Sequence, residues 1–490
     1  MNMAYLSSRH PLPQRVRVMD AANSLAKTSP PPSRGKGWSN SNGLFTMKRR
    51  LAAFMLTLCL SQAGTASALG LIEAYEAALQ HDPAYRAAVH ENEAGQQHRI
   101  LGRSSLLPNI SASYSNSKNQ ADVTTKTVWG QNTEQRDYTS MSGAIQLRQP
   151  LLHLEGVARY YQGAAQTDYS SAQFTARSQE LIVRLAGAYS EAKYAEDHLA
   201  LALVQRDAYA EQRRMNDRMF DKGEGTRTDM LETQAQYDLA EAQVLEAQDQ
   251  VTDARNALAA IVGQEIDALD GLRDDFKVKP MQPAGFDEWK AIALERNPSI
   301  AAQRHAVEAA AQEINKNRAG HAPRLDLIAS SSKTSSDTIN TYNQEAQTNS
   351  IGIQLNVPLY AGGYTSAATS QAASNHEKAK ADLEAQTSQV LVDLRKYYSQ
   401  ALSAELRIGA QSKSVESARL LVEATQKSVK GGMRTNLDVL NAQQQLFTAK
   451  RDLSLARYNY LLAYLRLRQS AGVIGASDLQ DVAGYFVSGR

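Results

Sequence analysis

The sequence predicts a mainly α-helical fold with a small β part, built from two similar halves. Glycine and proline are few for 490 residues, at 28 and 13, so helices should be long and seldom broken. Aromatic residues make up only 7%, as expected for extended helix packing without a large aromatic core. In addition, a segment near the start of the chain returns in outline near its middle.

This repeat begins with a short amphipathic segment that ends in an Asx-Pro pair. The first copy is residues 71–83 (LIEAYEAALQHDP), and the second is residues 286–298 (FDEWKAIALERNP). The Asx residue is suited to cap the next helix, with proline at its first position. Later landmarks also match, namely Pro108 with Pro323, Pro150 with Pro358 and Gly263 with Gly472. We therefore predict halves at 69–270 and 284–475, followed by a C-terminal tail at 476–490.

Each half is predicted to contain one very long helix. No proline lies between Gly156 and Asp221, so a helix there would be roughly 100 Å long. Its counterpart runs from Thr365 to Lys430. Both keep the 4,3 spacing of a coiled-coil seam, at Leu181, Leu185, Ala188, Ala192, Ala195 and Leu199, and at Val390, Leu394, Tyr397, Ala401, Ala404 and Ile408. The helices that follow carry seams that match at a constant offset of 209 residues, over 237–258 and 446–467.

A pair of strands is predicted before each long helix. At about 109–149 and 324–357, apolar and polar residues alternate with a period of two, which gives each strand one apolar and one polar face. The polar segments between the partners, 119–137 and 334–347, are predicted as loops.

Four such strands cannot be stable in lipid on their own, because the edges of the sheet would stay unpaired. We therefore expect several copies to share one barrel, and three copies would supply twelve strands. No stretch after Ala68 approaches the roughly 20 apolar residues of a spanning helix, so the chain would have to enter a membrane as strands. The alternative is a pair of soluble β-hairpins.

Residues 1–68 are predicted to be an N-terminal extension and a secretory signal peptide. Residues 47–50 (MKRR) form a basic start, an apolar run follows, and residues 66–68 (ASA) fit a cleavage site. Met47 is therefore the expected start, although Met1 stays open, and cleavage is expected after Ala68.

The chain from residue 69 onward is acidic and lacks cysteine. It carries 44 basic and 50 acidic side chains, a net charge of −6, so nucleic-acid binding has no electrostatic basis. The single cysteine, Cys59, follows Leu58 in the apolar run, whereas a lipoprotein signal needs a small residue before its cysteine. No disulfide, thiolate metal site or lipid anchor is expected.

No group of residues indicates catalysis, a metal or a cofactor. His81, His90 and His98 are eight or nine residues apart, unlike the i,i+4 pair of a helical zinc site. The other histidines are isolated, and we expect all of them to face solvent or cap helices. No Gly-x-Ser-x-Gly elbow or phosphate-binding glycine loop occurs, and Gly362 and Gly363 fit a strand-to-helix turn. An enzyme is therefore not expected.

The informative polar residues lie at two predicted helix-to-helix turns, 222–231 (KGEGTRTDML) and 430–441 (KGGMRTNLDVLN). Each has glycines for a tight reversal, Gly223 and Gly225 in the first and Gly431 and Gly432 in the second, then Thr and Asp suited to cap the returning helix. One interpretation is that Asp229 and Asp438 act only as helix caps.

At these turns the chain resembles the TolC family of trimeric outer-membrane export channels. The resemblance spans nearly the whole chain after residue 68 and includes the duplicated halves, the Asx-Pro pairs, the strand pairs, both turns and residues 358–363 (PLYAGG). It implies a homotrimer in which a twelve-stranded antiparallel barrel continues into a periplasmic tunnel of twelve helices, closed at its periplasmic end by the inner coils. Residues 74–88 look most like the branch that serves type I protein secretion.

The resemblance also implies roles for residues in the turns. It assigns Asp438 to an acidic ring at the periplasmic constriction and puts Asn441 where a second acidic residue would stand, so a doubled ring is in doubt. Arg434 matches an arginine that ties the inner coil to a neighbouring turn, with Thr228 and Asp229 as partners. Val429 falls near a family tyrosine that helps to hold the closed state, so that tie is expected to be missing.

The expected function is the outer-membrane exit duct of a tripartite export system. The implied partners are a periplasmic adaptor (membrane fusion) protein, an inner-membrane transporter of the ABC type and outer-membrane lipid. Type I protein secretion is favoured over small-molecule efflux. A periplasmic coiled-coil adaptor is a further alternative, but it would need a lipoyl-like or barrel module and would not show two strand pairs in register with a duplication.

Overall fold

A computed structural model describes residues 68–273, 275–336 and 344–487. The predicted signal peptide and the start at Met47 lie outside these residues. The first half contains α1 (Leu71–His81), α2 (Pro83–Ser104), β1 (Asn109–Thr127), β2 (Gly130–Leu152), α3 (Leu154–Asp221) and α4 (Arg227–Val262). After β3 (Gly271–Leu272), the same order returns as α5 (Phe286–Arg296), α6 (Pro298–Arg318), β4 (Arg324–Ser336), β5 (Gln344–Asn356), α7 (Tyr364–Lys430) and α8 (Asn436–Ser470). A 3-10 turn, Ala319–His321, follows α6, and α9 (Ala476–Ala483) and β6 (Phe486–Val487) end the described chain.

The Asx-Pro pairs form the predicted helix caps. The carboxylate of Asp82 accepts a hydrogen bond from the backbone N–H of Tyr85 at 2.8 Å. The side-chain oxygen of Asn297 accepts from the N–H groups of Ser299 and Ile300, at 2.9 and 3.2 Å. In both halves the cap satisfies donors that would otherwise be left unpaired at the start of a helix.

The two long helices are confirmed almost to the residue. Helix α3 has 68 residues and α7 has 67. Their predicted seams are buried or half-buried along their lengths, as are the seams of α4 and α8. Where α2 meets α3, glycine permits a closer approach, because a Cβ on Gly163 would lie 2.3 Å from the carbonyl oxygen of His98.

The helices lie side by side in a fixed order. Nearer the sheet the order is α2, α3, α6, α7, and nearer the turns it is α4, α3, α8, α7. The four main strands follow the order β1, β2, β4, β5, and all their pairings are antiparallel. The first-half elements β1, α2 and α4 therefore form one side of the chain, and the second-half elements β5 and α7 form the other.

The sheet has one polar and one apolar face. The register puts Ile110 opposite Leu147 and Leu327 opposite Ile353, so these side chains share a face. Large apolar side chains on this face are exposed in the single chain, for example Ile110 at 67% and Ile351 at 78%. The other face carries serines and glutamines along the same strands.

The prediction of a loop at 119–137 was wrong. Strands β1 and β2 continue through this segment to a short turn at Val128 and Trp129, with Asn119 still paired to Tyr138. Polar side chains on both faces remove the alternation that identifies a strand, but the ladder needs only backbone groups. Threonines support it across the strands, since Thr124 and Thr133 are hydrogen-bonded at 3.0 Å.

The loop predicted at 334–347 is corrected at both ends. Strand β4 continues to Ser336 and β5 begins at Gln344, and residues 337–343 lie outside the described residues. The same loss of alternation explains this error.

The segment predicted as a C-terminal tail carries structure of its own. Strand β6 pairs with β3, and the Phe486 ring meets the buried Tyr189 ring edge-on with centroids 5.2 Å apart. The largest apolar core lies here, around the middle of α3, where α1, α4, α8 and α9 converge.

Within the described residues, no helix has a stretch both long enough and apolar enough to cross a membrane.

Candidate functional site at the two helix turns

The two predicted turns have the same backbone. In the first, Gly223 has φ +76° and the N–H of Glu224 bonds to the carbonyl of Met219 at 2.9 Å. In the second, Gly432 has φ +70° and the N–H of Met433 bonds to Ser428 at 3.0 Å. Each helix therefore ends with a left-handed residue that satisfies its last carbonyls, and glycine adopts this conformation without steric cost.

The other two predicted tip glycines do not need a positive φ. Gly431 has φ −88° and caps the end of α7. Gly225 has an ordinary φ but lies against the end of α3, where an added Cβ would be 3.1 Å from the backbone nitrogen of Phe220. The four glycines therefore differ: Gly223 and Gly432 are needed for a positive φ, Gly225 for close packing, and Gly431 for neither.

Asp229 and Asp438 each belong to a capping box at the start of the returning helix. The N–H of Thr226 lies 3.4 Å from Oδ2 of Asp229, and its hydroxyl donates to the same oxygen at 2.6 Å. In the second turn, the N–H and hydroxyl of Thr435 donate to Oδ2 of Asp438 at 3.0 and 2.9 Å. Both carboxylates thus cap helices through Oδ2.

Capping leaves the second oxygen of Asp438 available. Its Oδ1 has no hydrogen-bond partner among the described residues, and the side chain is half-exposed. The backbone N–H of Thr435, then its hydroxyl, and to a smaller extent the Arg434 charge, lower the pKa of Asp438 below its ordinary value. The carboxyl therefore stays charged at neutral pH while it caps α8, so a cap and an ion-facing role are compatible.

Arg434, Thr228 and Asp229 are brought to one cleft. This cleft lies between the two turns, and Val429, Asn436 and Glu232 also line it. The guanidinium of Arg434 is exposed and forms no hydrogen bond or ion pair with any described residue of this chain. Asn441 is exposed on α8, one turn beyond Asp438. The cleft contains the predicted partners, but their link is not made within the single chain.

A cluster of buried and half-buried polar side chains, which no sequence motif predicted, lies just inside the turns. We call it the tip brace, and it consists of Gln212 and Asn216 on α3, Thr233 on α4 and Asn436 on α8. The Asn436 amide donates to Oγ1 of Thr233 at 3.1 Å and accepts from Nε2 of Gln212 at 2.5 Å. Asn216 donates to the same Thr233 oxygen at 2.7 Å.

A signal for the brace was present in the sequence. Thr233 lies four residues before Tyr237, so it continues the coiled-coil seam of α4 with a polar side chain, and it is fully buried. A polar residue at a seam position must find a partner, because burying it without one is costly.

The described histidines form no metal cluster. No group of three or more His, Cys, Asp or Glu side chains in the described part of the chain is arranged to hold a metal ion. His81, His90 and His98 are exposed, whereas His153, the N-cap residue of α3, is half-buried and lies 3.3 Å from the carbonyl oxygen of Ser105.

Comparison with known proteins agrees with the resemblance found in the sequence. The family model "Outer membrane efflux protein" matches residues 74–264 and 289–473. The alkaline protease secretion protein AprF of Pseudomonas aeruginosa is 45% identical over 91% of this chain and 93% of its own length. The proteases secretion protein PrtF of Dickeya chrysanthemi is 38% identical over 90% and 96%. The Campylobacter jejuni CmeC outer membrane channel has a similar fold, with a TM-score of 0.71, 16% identity and coverage of 85% and 90%.

Proposed function

We propose that this chain, which belongs to the outer membrane efflux protein family, is the outer-membrane duct of a tripartite export system and that its cargo is protein. The relatives AprF and PrtF, which cover nearly the whole chain, are named for the secretion of proteases. Protein cargo is therefore favoured over small-molecule efflux. Transport through such a duct requires no bond chemistry, so the chain is not an enzyme in this proposal.

The observation that carries the proposal is that every layer of the chain is open on the same two sides. The sheet ends at β1 and β5, and the helices end at α2 or α4 on one side and at α7 on the other. A side made by the first half must meet a side made by the second half of another copy, and repetition of such a contact closes a ring. Three copies would give twelve strands and twelve helices around one axis.

The charges of the two outer helices support this contact. Exposed acidic side chains on α4 are Asp238, Glu241, Glu246, Asp249 and Asp253. The turn-proximal half of α7 exposes five basic side chains, Arg407, Lys413, Arg419, Lys427 and Lys430, against three acidic ones, Glu405, Glu416 and Glu423, which leaves a net charge of +2. The side of one copy that carries α4 is therefore electrostatically suited to the side of the next that carries α7.

The sheet supplies the membrane part of the proposed ring. Its exposed apolar face, which includes Ile110, Ile145 and Ile351, would face lipid, and its polar face would line water. Between residues 119 and 137, beyond the apolar face, both faces of β1 and β2 are polar, as expected for strands that leave the outer membrane. The long helices α3 and α7 would then extend into the periplasm.

The turns form the periplasmic entrance in this proposal. Three Asp438 carboxylates near the axis attract cations, and Asn441 adds polar groups without charge. Arg434 ties the second turn to Thr228 and Asp229 when the copies assemble. A periplasmic adaptor and an inner-membrane ABC transporter would dock here, replace those ties and shift the duct from closed to open.

The first test is the assembly itself. The protein extracted from outer membranes in detergent should have three times the mass of the chain by light scattering and should conduct ions in a planar lipid bilayer. A monomer that does not conduct would contradict the proposal.

Cargo is tested separately by deletion of the gene. We expect one or more secreted proteins to disappear from the culture medium while drug susceptibility stays unchanged. The reverse result would favour small-molecule efflux through the same duct.

A further inference from the structure

The wall of long helices has one face that carries extra elements. Helices α1, α5 and α9 and the strands β3 and β6 pack against the middle of this wall. The chain between β3 and α5 crosses two of the wall helices on the same face. The hydroxyl of Tyr460 on α8 donates to the carbonyl of Lys279 at 3.1 Å, and the hydroxyl of Tyr398 on α7 donates to the carbonyl of Ala284 at 2.7 Å.

In the proposed ring, the face with the extra elements must be the outer one. Twelve helices spaced about 10 Å apart form a ring about 38 Å across between helix axes, which leaves a bore of about 28 Å. The extra helices α1, α5 and α9 of three copies, each about 10 Å thick, would fill such a bore. The opposite face of the wall therefore lines the bore.

A polar cleft of about 260 Å³ lies between α7 and α8, and Arg407 and Arg466 line it. Arg407 comes nine residues after Tyr398, which is about two and a half turns, so it lies on the opposite face of α7. On α8, Arg468 pairs with Asp478 of α9 at 2.6 Å. Arg466 precedes Arg468 by two residues and therefore lies about 160° around the helix from it. The cleft thus opens on the face that lines the bore.

Small residues make room for the cleft, and hydrogen-bond donors surround it. Ala404, Ala456 and Ala463 are buried between the two helices. The remaining lining residues are larger and mostly polar: Gln400, Ser403, Arg407, Asn459, Leu462 and Arg466. No Asp or Glu is among the described residues that line the cleft, so its charge is positive.

The two arginines are not neutralised within the chain. The Arg466 side chain is half-buried, and its guanidinium carbon lies 5.9 Å from the ring centroid of Tyr397, an arrangement that attracts a cation to the ring. Arg407 is exposed. Neither guanidinium forms an ion pair or a hydrogen bond with a described residue. Arg407 borders the bore, whereas Lys413, six residues later, lies about 120° around α7, toward the edge that meets the next copy.

The chemistry of the cleft fits a carboxylate. A guanidinium presents a planar fork of N–H donors that matches the two oxygens of a carboxylate, and the amides of Gln400 and Asn459 add further donors. A cleft of about 260 Å³ holds a side chain and excludes a folded domain. In a duct for protein, the carboxylates that pass this point are those of Asp and Glu on the cargo.

We propose that the cleft binds carboxylates of an acidic, unfolded segment of the cargo polypeptide as it passes through the bore. This inference rests on the proposed export duct and names the kind of segment that the bore recognises. Two arginines from each of three copies place six guanidinium groups at one level. A segment with several acidic residues contacts more than one cleft, and each single contact is weak enough to be released.

The experiment measures binding of a fluorescently labelled poly-glutamate peptide of about twelve residues to the purified full-length protein in detergent, by fluorescence anisotropy at low salt. The double variant Arg407→Gln with Arg466→Gln should bind the peptide about tenfold more weakly than the wild type, because both forks are lost. Replacing both arginines by lysine keeps the charge without the fork, so its affinity should lie between the two.

The matched control is Arg395→Gln, which removes the same charge from the other face of α7. Arg395 is exposed, and its guanidinium carbon lies 4.4 Å from the ring centroid of Phe286, next to the extra elements. Its loss should leave the affinity for the peptide unchanged. An equal loss in the control and the double variant would mean that the peptide responds to total charge, and the cleft would be overturned.

The remaining outcomes separate the cleft from the duct. If the wild type is a conducting trimer and the double variant binds the peptide equally well, the cleft is overturned and the duct stands. If citrate displaces the peptide at an equal concentration of carboxylate, the cleft is a site for small anions and the polypeptide ligand is overturned. A wild type that is monomeric and does not conduct has no bore, so both proposals fail. Should the double variant not assemble, Arg407→Gln alone decides, since the exposed Arg407 has no partner to lose.

Discussion

The two helix turns have the same backbone and different side chains. Gly223 and Gly432 adopt the same left-handed conformation, and Thr226 and Thr435 form the same capping box with an aspartate three residues later. Between these fixed points, however, the exposed Arg434 takes the position of Gly225, at the constant offset of 209 residues.

Two further positions differ in the same way. Arg227, which is exposed in the first turn, corresponds to Asn436 of the tip brace, and Glu232 corresponds to Asn441. The reversal of two long helices demands the same glycine and cap in both halves, so these features are preserved. The remaining side chains differ, and we infer that they give the two helical hairpins different tasks: α3 with α4 serves as support, and α7 with α8 is the part that moves.

The largest effect is expected from removing the charge of Arg434, which stands in the second turn where the first turn has Gly225. Arg434→Ser should raise the open fraction of the isolated channel about tenfold, or ~1.4 kcal/mol, because the proposed tie to Thr228 and Asp229 is lost. The open fraction is measured from single-channel recordings in a planar lipid bilayer.

Arg227→Ser is the matched control for that comparison. Arg227 is an exposed arginine in the first turn with no ion pair to a described residue, so its loss should leave the conductance unchanged. If both variants leak equally, charge at the tips in general, rather than the tie, holds the entrance closed. If neither leaks, Arg434 has no part in closure.

A smaller effect, equal in both turns, is expected from the shared glycines. Gly223→Ala and Gly432→Ala each force a side chain into a left-handed conformation at a cost of about 1 kcal/mol, or about a fivefold increase in local opening. Hydrogen exchange at the amides of Glu224 and Met433, which close the two turns, reports this opening. Gly431→Ala is the control because Gly431 has φ −88° and no atom closer than 3.6 Å to an added Cβ. Unequal effects of the first two substitutions would contradict the equivalence of the turns.

Much of this comparison was predictable from the sequence, and the part that was not has a clear physical cause. Glycine, Thr and Asp at the turns, the Asx-Pro caps and the seams of α3 and α7 are local signals, because each depends on residues within a turn or two. The strands at 119–137 were missed because side chains that are polar on both faces hide the period of two.

The tip brace was missed for a different reason. A heptad shows that Thr233 faces a neighbouring helix, but it does not show that the neighbour is the start of α8, about 200 residues away. The link between Asn436 and Thr233 depends on the lateral order of helices, which tertiary packing decides. The roles of Arg434 and Asp438 came from resemblance, and the cleft that contains Arg434, Thr228 and Asp229 gives that proposal a location.

The smallest effect is expected from the capping carboxylate of the second turn, and the quantity that it changes is ion selectivity. Asp438→Asn should reduce the preference for cations over anions about threefold, or ~0.7 kcal/mol, since three carboxylates near the axis would lose their charge. Reversal potentials in a salt gradient measure this preference. Asp221→Asn is the control, because Asp221 is an exposed acid at the end of α3 that caps no helix, and its loss should change the preference less.

The protonation of Asp438 should make the preference for cations depend on pH. Because hydrogen bonds from Thr435 lower the pKa of Asp438, the charged form should persist as the pH falls to the ordinary aspartate value of about 3.9 and be lost below it. The stabilisation that the cap contributes follows the same course: it is complete above the ordinary pKa and disappears as the pH falls through the lowered one. A selectivity midpoint clearly above the ordinary value would mean that repulsion among the three carboxylates outweighs the cap. The entrance would then be controlled by the charge that the copies share, and the capping box within each chain would be secondary.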